Sequence, residues 1–540
     1  MLKLNDKIVI TSALPYANGE IHLGHIVSTY LPADIFARFC RLNNKDVCFV
    51  CATDDFGTPI LIKAEQENKK PEDYVKFWFE KDKKDFENIG IKFDFFGQTS
   101  SKENIQLVQH FFNELYKNGF IYEKEIEQLY CENCKKFLPD RYVKGRCPYC
   151  GAEDQYSDGC EKCGRVFETK EIIDPHCAIC GSKPVLKKTN HYFFKLSEFS
   201  EQLKQWLQKN ENLQKEVKNY VLNWIKEGLK DWDITRDISW GVPIPLKQAK
   251  GKVLYGWFDN HLCYITCVLK QKSKEFWNSS TIYHFIGKDI VYHHYLFLPA
   301  IRLGEKEYKL PDFIPVRGHL LLEGKKFSKS RDWYISINDF ISSFPSDYLR
   351  YYLGAITQYS QKDTNFDWKE FQAKINNELV ANIGNFIYRT LSFISSKFNG
   401  IVPEVELFDE SDKKFEQKIK SINKDVGELI EKLEFDRALK KILEFSDYCN
   451  QYFQNKEPWK TKDKTCLYLC INAVKVLSVL LYPFLPDSCE KLFNQLNIIN
   501  EKIGWNNIKE IKPGHKINKP EILFKKIEDN DIESKLKKLK

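Results

Sequence analysis

Two short segments, far apart in the chain, carry side chains that can bind phosphate groups. They are His22-Leu23-Gly24-His25 and Lys326-Phe327-Ser328-Lys329-Ser330. Histidine and lysine donate hydrogen bonds to phosphate oxygens, and glycine lets a flat nucleotide lie against the backbone. The second segment puts two ammonium groups and two hydroxyls into one loop, where Lys329 is our candidate for stabilising phosphate charge. Together the segments predict a site for the phosphates of a nucleotide.

Cysteines at regular spacing predict a second kind of chemistry. Eight of the 17 cysteines form four Cys-x-x-Cys pairs, namely Cys131/Cys134, Cys147/Cys150, Cys160/Cys163 and Cys177/Cys180. Three pairs are followed directly by glycine, which tolerates the positive φ of a tight turn. Four thiolates around one ion make a closed structural zinc site, so the chain is expected to hold one to two structural zinc ions.

Sequence order does not establish which pairs share an ion. The short interval between Cys150 and Cys160 favours one site made by the two inner pairs. Cys131, Cys134, Cys177 and Cys180 then form a second site, nested outside the first.

Hydrophobic periodicity indicates the elements that must position these residues. Short apolar runs at 8–10, 47–51, 253–255 and 283–286 alternate with helical patterns, which favours a parallel sheet with helices on both faces. After about residue 372, apolar residues recur every three to four positions, as in a bundle of amphipathic helices. The predicted segments are 1–122 and 235–323 for the two halves of the sheet domain, 123–234 for a cysteine-rich insertion, 324–372 for the second phosphate loop and a following connecting region, 373–515 for the bundle, and 516–540 for a C-terminal tail. The last residues of this tail, 529–540, are charged and expected to be frayed.

Composition sets limits on the compartment and the class of protein. The 540 residues are 43% hydrophobic and 29% charged, with a formal net charge of +7, which permits a polyanionic partner without requiring one. The N-terminus has no signal-peptide pattern, and no apolar stretch reaches about 18 residues. The most apolar region, 466–486, is predicted to be a buried helix. We therefore expect a cytoplasmic protein that does not enter a membrane.

In this order and context, the two phosphate segments resemble the signature motifs of class I aminoacyl-tRNA synthetases, with Phe327 in the place of the usual methionine. Further segments at 11–19, 51–60, 255–259 and 284–294 resemble methionyl-tRNA synthetases, and the resemblance extends from residue 1 to about 515. It implies a Rossmann-type α/β catalytic domain with a zinc-knuckle insertion, followed by an all-α anticodon-binding bundle. It agrees with the nested pairing of the cysteines and gives 324–372 a role in contacting the tRNA stem.

The implied activity is that of a methionine–tRNA ligase. Such an enzyme activates L-methionine with ATP and Mg²⁺ to methionyl-adenylate and pyrophosphate, then transfers it to the 3′ end of initiator and elongator tRNA(Met). The implied catalytic residues are His22, His25, Lys326 and Lys329; Gly24, Gly287, Asp289 and Lys329 bind ATP; Ala13, Leu14, Tyr16, Asp54, Trp257, Ile290 and His294 bind methionine; and Asn385, Arg389 and Trp459 read the anticodon. Because no further dimerising domain is expected after about 515, the resemblance favours a monomer.

Three positions depart from the family pattern near the expected amino-acid pocket. Phe56 replaces a usual histidine, and Asn260-His261 replaces a usual alanine–proline. We expect altered affinity for methionine rather than a lost specificity. Two alternatives remain: another class I synthetase of the leucine, isoleucine or valine type, for which 123–235 is too short and cysteine-rich to be an editing domain; and a non-catalytic tRNA-binding paralogue.

Overall fold

A five-stranded parallel sheet forms the centre of the computed structural model, which describes residues 5–157, 160, 162–163, 165, 169–328 and 333–539. The strands in chain order are Lys7–Ser12, Asp46–Thr53, Phe95–Gln98, Thr281–Gly287 and Val316–Arg317. Alternate residues of the first strand face opposite cores, with Ile8 and Ile10 on one side and Val9 on the other, all fully buried. Since both faces of the sheet are covered, the sequence of this strand is a continuous apolar run. The predicted α/β fold class is confirmed.

The strand order reverses at the first strand. Lys7–Ser12 pairs with Asp46–Thr53 on one side and with Thr281–Gly287 on the other, because the chain returns to the sheet only after the insertion. In open parallel sheets, ligands bind beyond the carboxyl ends of the strands at such a reversal. The first phosphate segment follows directly at this edge.

Helices cover both faces of the sheet. The longer ones are Leu31–Leu42, Pro71–Asn88, Lys102–Lys117 and Gly256–Leu269, and the shorter ones are Leu23–His25, Ile26–Tyr30, Thr58–Gln66, Lys274–Ser279, His293–Phe297 and Leu298–Glu305. The strands Leu320–Leu322, Lys325–Lys326 and Thr364–Phe366 form a small sheet beside them. The helices Ile337–Ile341, Ser346–Ile356 and Trp368–Lys374 lead into the bundle.

The insertion is built from short antiparallel strands. One sheet contains Ile121–Cys131, Lys136–Phe137, Val185–Phe194 and Trp232–Asp233, and another contains Val143–Arg146, Gln155–Tyr156 and Ile173–Cys177. The helices Ser200–Lys209 and Lys215–Glu227 follow. The predicted strand at 253–255 does not join the parallel sheet: Val253–Leu254 pairs antiparallel with Thr235–Arg236 and Val242–Pro243.

The C-terminal part is helical, as the periodicity predicted. Its elements are Ile375–Gly384, Asn385–Lys397, Glu410–Glu431, Phe435–Lys456, Pro458–Thr461, Lys464–Leu481 and Pro486–Gln495. Lys464–Leu481 is long and apolar enough to cross a membrane, but 89% of it is buried inside the protein. It is the predicted buried helix at 466–486. Lys475 within it is also buried and pairs with Glu501 at 2.7 Å.

The end of the chain is packed rather than frayed, so that expectation was wrong. Phe524, Ile527 and Ile532 are 3–4% exposed, and Asp529–Lys538 is a helix. The carbonyl of Ile527 accepts hydrogen bonds from Gln372 at 3.1 Å and from Asn376 at 2.9 Å. Widely spaced apolar residues in a charged segment are sufficient to dock it.

A buried ion cluster joins the sheet domain to the bundle. Asp34 accepts from Arg38 Nε and from Arg350 Nη2, each at 2.7 Å. Arg350 also donates to the carbonyls of Pro483 and Phe484. Burial by itself would raise the pKa of Asp34, but the two guanidinium groups outweigh it and hold the pKa below its usual value.

Candidate active site

A cavity of about 440 Å³ lies where the parallel strands end at the reversal of strand order. The structure brings together on its wall these residues predicted for phosphate, nucleotide and amino-acid binding: Ala13, Leu14, Tyr16, His22, Gly24, His25, Asp54, Trp257, Gly287, Asp289, Ile290, His294 and Lys326. Lys326 ends a short exposed strand. Lys329, the other lysine predicted for catalysis, lies outside the described residues.

The two phosphate segments meet at this cavity. The ring of Phe327 stacks on that of His22 with centroids 5.2 Å apart, and the rings of His22 and His25 stack at 3.6 Å. The backbone supports the contact, because Leu23 N donates to Ile335 O at 3.1 Å. Phe327 therefore fills the apolar position of its segment by packing on the histidine.

Little space is left for a side chain at two glycines in the part of the cavity predicted to bind the nucleotide. A Cβ atom at Gly24 would lie 3.0 Å from the ring of His22, and one at Gly287 would lie 2.6 Å from Asp289 Oδ1. The same oxygen of Asp289 accepts from His319 Nε2 at 3.1 Å. His319 also lines the cavity. Sequence reasoning missed it, because its strand neighbourhood, 318–322, carried no motif.

The part of the cavity predicted to bind the amino acid contains a buried carboxyl group, Asp54. Its Oδ2 accepts from Asn260 Nδ2 at 2.7 Å, while its Oδ1 has no hydrogen-bond partner within the described part of the chain. Burial raises the pKa of Asp54 to about 8, the Asn260 hydrogen bond opposes the rise, and Asp55 adds to it. A buried acceptor left open toward a cavity suits a ligand that carries a positive charge.

Two further buried acids flank Asp54. Asp55 is well satisfied, since it accepts from Thr53, Gln98 and Ser100, and burial raises its pKa to about 6. Asp259 is fully buried, and neither oxygen has a partner among the described residues. Burial, and then the nearby charge of Asp54, raises the pKa of Asp259 well above its usual value. Asp259 is therefore neutral, and of the three acids Asp55, which has the most hydrogen-bond donors, keeps the lowest pKa.

Aromatic rings form the wall beyond Asp54. Trp257 stacks on His293 with centroids 3.7 Å apart and an interplanar angle of 4°. His294 Nδ1 faces the carbonyl of Ile290 at 3.1 Å, so this nitrogen carries the proton and Nε2 accepts from Tyr264 OH, also at 3.1 Å. Sequence reasoning missed Tyr264. Its spacing could have revealed it, because it follows Trp257 by two helical turns and shares its face.

The three departures from the family pattern occupy different places. Asn260 lines the cavity. Phe56 is instead a core residue, 3% exposed and packed edge-on against Trp240 at 5.1 Å. His261 is fully buried with its ring 5.8 Å from that of Trp257, and neither ring nitrogen has a described partner. Burial lowers the pKa of His261 well below its usual value, so the ring is neutral.

The eight cysteines of the insertion gather into two sets of four. One set is Cys131, Cys134, Cys177 and Cys180, and the other is Cys147, Cys150, Cys160 and Cys163, with the sulfurs of each set within 4.8 Å of one another. Pairs across each set lie 3.5–3.9 Å apart. A tetrahedron with zinc–sulfur bonds of about 2.3 Å requires sulfur separations of about 3.8 Å. Both sets therefore have the geometry of a closed zinc site.

The turns that follow these pairs adopt left-handed backbone conformations. Gly151 and Gly181 have φ of 69° and 74°, as expected where a thiolate turn is followed by glycine. Lys135 adopts φ of 51° after Cys134, so this turn achieves the same geometry without glycine. The glycine that follows Cys163 lies outside the described residues.

The residues predicted for anticodon recognition lie on one face of the bundle. Asn385 and Arg389 are one turn apart at the start of the helix Asn385–Lys397. The guanidinium of Arg389 lies 5.5 Å from the ring of Trp459 and 4.7 Å from that of Phe453. Trp459 is 38% exposed, so part of its ring remains open to solvent.

Comparisons with known proteins match this arrangement along the whole chain. Residues 8–391 match the family model described as tRNA synthetases class I (M), and 402–540 match that described as the anticodon binding domain of methionyl tRNA ligase. The methionine–tRNA ligase of Methanopyrus kandleri is 45% identical over 98% of this chain and 81% of its own length. That of Methanobrevibacter smithii is 46% identical over 99% and 82%.

The fold also has a close structural counterpart. A Mycobacterium tuberculosis methionyl-tRNA synthetase in complex with methionyl-adenylate superposes with a TM-score of 0.81 at 22% identity, covering 96% of this chain and 99% of that one. The parallel sheet, with both phosphate segments at one cavity, is the architecture of a class I tRNA synthetase. The chain belongs to the methionine–tRNA ligase family.

Proposed function

We propose that this protein is a methionine–tRNA ligase acting on initiator and elongator tRNA(Met). It joins methionine to ATP as methionyl-adenylate, releases pyrophosphate, and transfers the methionyl group to the 3′ end of the tRNA. The observation that carries the proposal is the single cavity in which the phosphate segments, represented by His22 and Lys326, face an amino-acid subsite containing Asp54 and Trp257. The presence of these residues in one cavity also favours an active enzyme over a non-catalytic paralogue.

The first step needs positioning rather than covalent help from the protein. The carboxylate of methionine is ionised at neutral pH and attacks the α-phosphorus of ATP, and the bond to pyrophosphate breaks. Negative charge spreads over the phosphate oxygens, and fixed donors stabilise it. His22, His25, Lys326 and Lys329 are the proposed donors, and Mg²⁺ accompanies the ATP. In the second step a ribose hydroxyl of the tRNA attacks the carbonyl, and AMP leaves.

The amino-acid subsite fits methionine in charge and polarity. Asp54 Oδ1 is the proposed acceptor for the substrate ammonium. The thioether is apolar and only a weak acceptor, which suits a wall made by Leu14, Trp257 and Ile290. Tyr264 and His294 already bond to each other, so they contribute few unsatisfied polar groups to this wall.

Zinc and tRNA binding complete the proposal. The two cysteine sets would each hold one structural zinc ion, and four thiolates leave no ligand position open for catalysis.

Asn385, Arg389 and Trp459 would contact the anticodon, because an exposed ring can stack on an unpaired base while amide and guanidinium groups read base edges. None of the 17 cysteines forms a disulfide, which supports a reducing cytoplasmic compartment. We propose a monomer, which sedimentation would test.

Pyrophosphate exchange tests the activity. With a panel of amino acids, we expect methionine to support exchange between ATP and pyrophosphate, while leucine, isoleucine and valine do not. Charging should then be observed with tRNA bearing a CAU anticodon and lost when the anticodon is changed. Exchange with a branched amino acid would favour the first alternative, and binding of tRNA without any exchange would favour the non-catalytic one.

Lys329→Ala tests the assigned chemistry within the same assay. We expect strongly slowed adenylate formation with little change in methionine binding, because this lysine is proposed to act on the leaving pyrophosphate. An equal loss of both would contradict that role.

A further inference from the structure

Asn260 occupies a position with direct influence on the amino-acid subsite. It lies in the first part of the helix Gly256–Leu269, is 4% exposed, and lines the cavity. Its Nδ2 donates to Asp54 Oδ2 at 2.7 Å across 206 residues of sequence. The resemblance noted in the sequence implies alanine at this position, and alanine has no group that could make this bond.

The surroundings of Asp54 make that donor important. Asp55 lies next to it in the chain, Asp259 and Tyr264 face it from the helix, and Tyr16 faces it from the loop after the first strand. None of these is a cation. Across the described residues no lysine or arginine forms an ion pair with Asp54. Asn260 is the side chain that donates a hydrogen bond to it, and the backbone of Phe56 also lowers the pKa of Asp54 by hydrogen bonding.

We propose that Asn260 is a positioning residue for amino-acid binding: its amide holds Oδ2 of Asp54 and turns Oδ1 toward the ammonium of the substrate. The inference rests on the proposed function, in which Asp54 receives that ammonium. The amide nitrogen can donate but cannot accept, so it favours the ionised carboxylate and fixes one of its two oxygens. The remaining oxygen is the one without a partner in the described structure.

A pH dependence follows from this geometry. A donor to the charged form lowers a carboxyl pKa, and burial near like charges raises it. Removing the Asn260 amide should therefore raise the pKa of Asp54 above its value of about 8. A protonated Asp54 attracts an ammonium only weakly. A variant without the amide should therefore bind methionine less tightly than the wild type at acid pH, and the difference between them should diminish as the pH rises.

The test uses the full chain and methionine-dependent exchange between ATP and pyrophosphate, measured across pH. For Asn260→Ala we expect the KM for methionine near neutral pH to rise roughly tenfold or more, the range of a hydrogen bond to a charged group. The acid limb of kcat/KM should move to higher pH, and the KM for ATP should stay unchanged. Asn260→Asp, which is isosteric but brings another carboxyl group, should raise the KM for methionine at least as much.

Thr266→Val is the matched control. Thr266 lies on the same helix, is 5% exposed, and donates to Asn104 Oδ1 at 2.8 Å, away from Asp54. The variant loses a buried hydrogen bond from this helix, and we expect an unchanged KM for methionine and an unchanged acid limb. In an Asp54→Asn background, Asn260→Ala should have little further effect, because the two residues act together.

Two results would overturn the inference. One is an Asn260→Ala enzyme with wild-type KM for methionine and a wild-type acid limb. The other is an equal change in Thr266→Val, which would indicate a general loosening of the helix. Either result leaves the proposed function intact when the wild type shows methionine-dependent exchange, whereas a wild type without exchange refutes the function itself.

Discussion

Replacing Asp34 by asparagine tests the junction between the sheet domain and the bundle. The Asp34 side chain is 0% exposed, and its partners Arg38 and Arg350 are 6% and 1% exposed. The amide preserves the shape of the side chain but leaves two buried guanidinium groups without a counter-charge. Removing one partner of a buried ion pair costs about 3–5 kcal/mol, and we expect Asp34→Asn to lose stability in that range.

The effect should depend on pH in a defined direction. The pKa of Asp34 is lowered in the folded protein, so its contribution is fully present above the unfolded pKa of about 3.9. It is lost as the pH falls through the folded value. The difference in unfolding free energy between wild type and Asp34→Asn should therefore be constant near neutral pH and shrink below about pH 4.

Urea unfolding, followed by tryptophan fluorescence, measures this difference. Asp6→Asn is the control, because Asp6 pairs with Lys45 at 3.0 Å while being 95% exposed. An exposed pair contributes about 0–1 kcal/mol, so the control should shift the midpoint little. Equal shifts in the two variants, or a difference that grows in acid, would refute the reasoning about the buried cluster.

Two further predictions concern the insertion and the bundle. Metal analysis should find two zinc ions per chain, and Cys150→Ser should reduce this to one without changing the affinity for methionine; a single zinc in the wild type would refute the two-site arrangement. Trp459→Ala should remove one stacking contact, which contributes about 1–3 kcal/mol to tRNA binding, and the KM for tRNA should therefore rise. Pyrophosphate exchange should be unchanged. Tyr448→Ala, which removes another exposed ring from the bundle, should leave both unchanged.

Local pattern predicted much of the fold. The apolar runs at 8–10 and 47–51 became neighbouring parallel strands, because a strand covered on both faces must be continuously apolar. The short run at 253–255 was misplaced, since two or three apolar residues fit an antiparallel pairing as well as a parallel one. The prediction of a frayed C-terminus was wrong for a similar reason. Phe524 and Ile527 are too few and too widely spaced to form a periodic apolar pattern that would predict packing.

The sequence alone predicted the chemistry proposed for this protein: the segments expected to bind phosphate, the four cysteine pairs and the amphipathic helices are recognisable from residue type and spacing, because each depends on short-range geometry. The tertiary structure decided which distant groups touch. Phe327 stacks on His22, His319 bonds to Asp289, and the Asn260 amide meets Asp54. Such contacts depend on how the sheet reverses its strand order and on where a helix packs, and no local pattern records either of these.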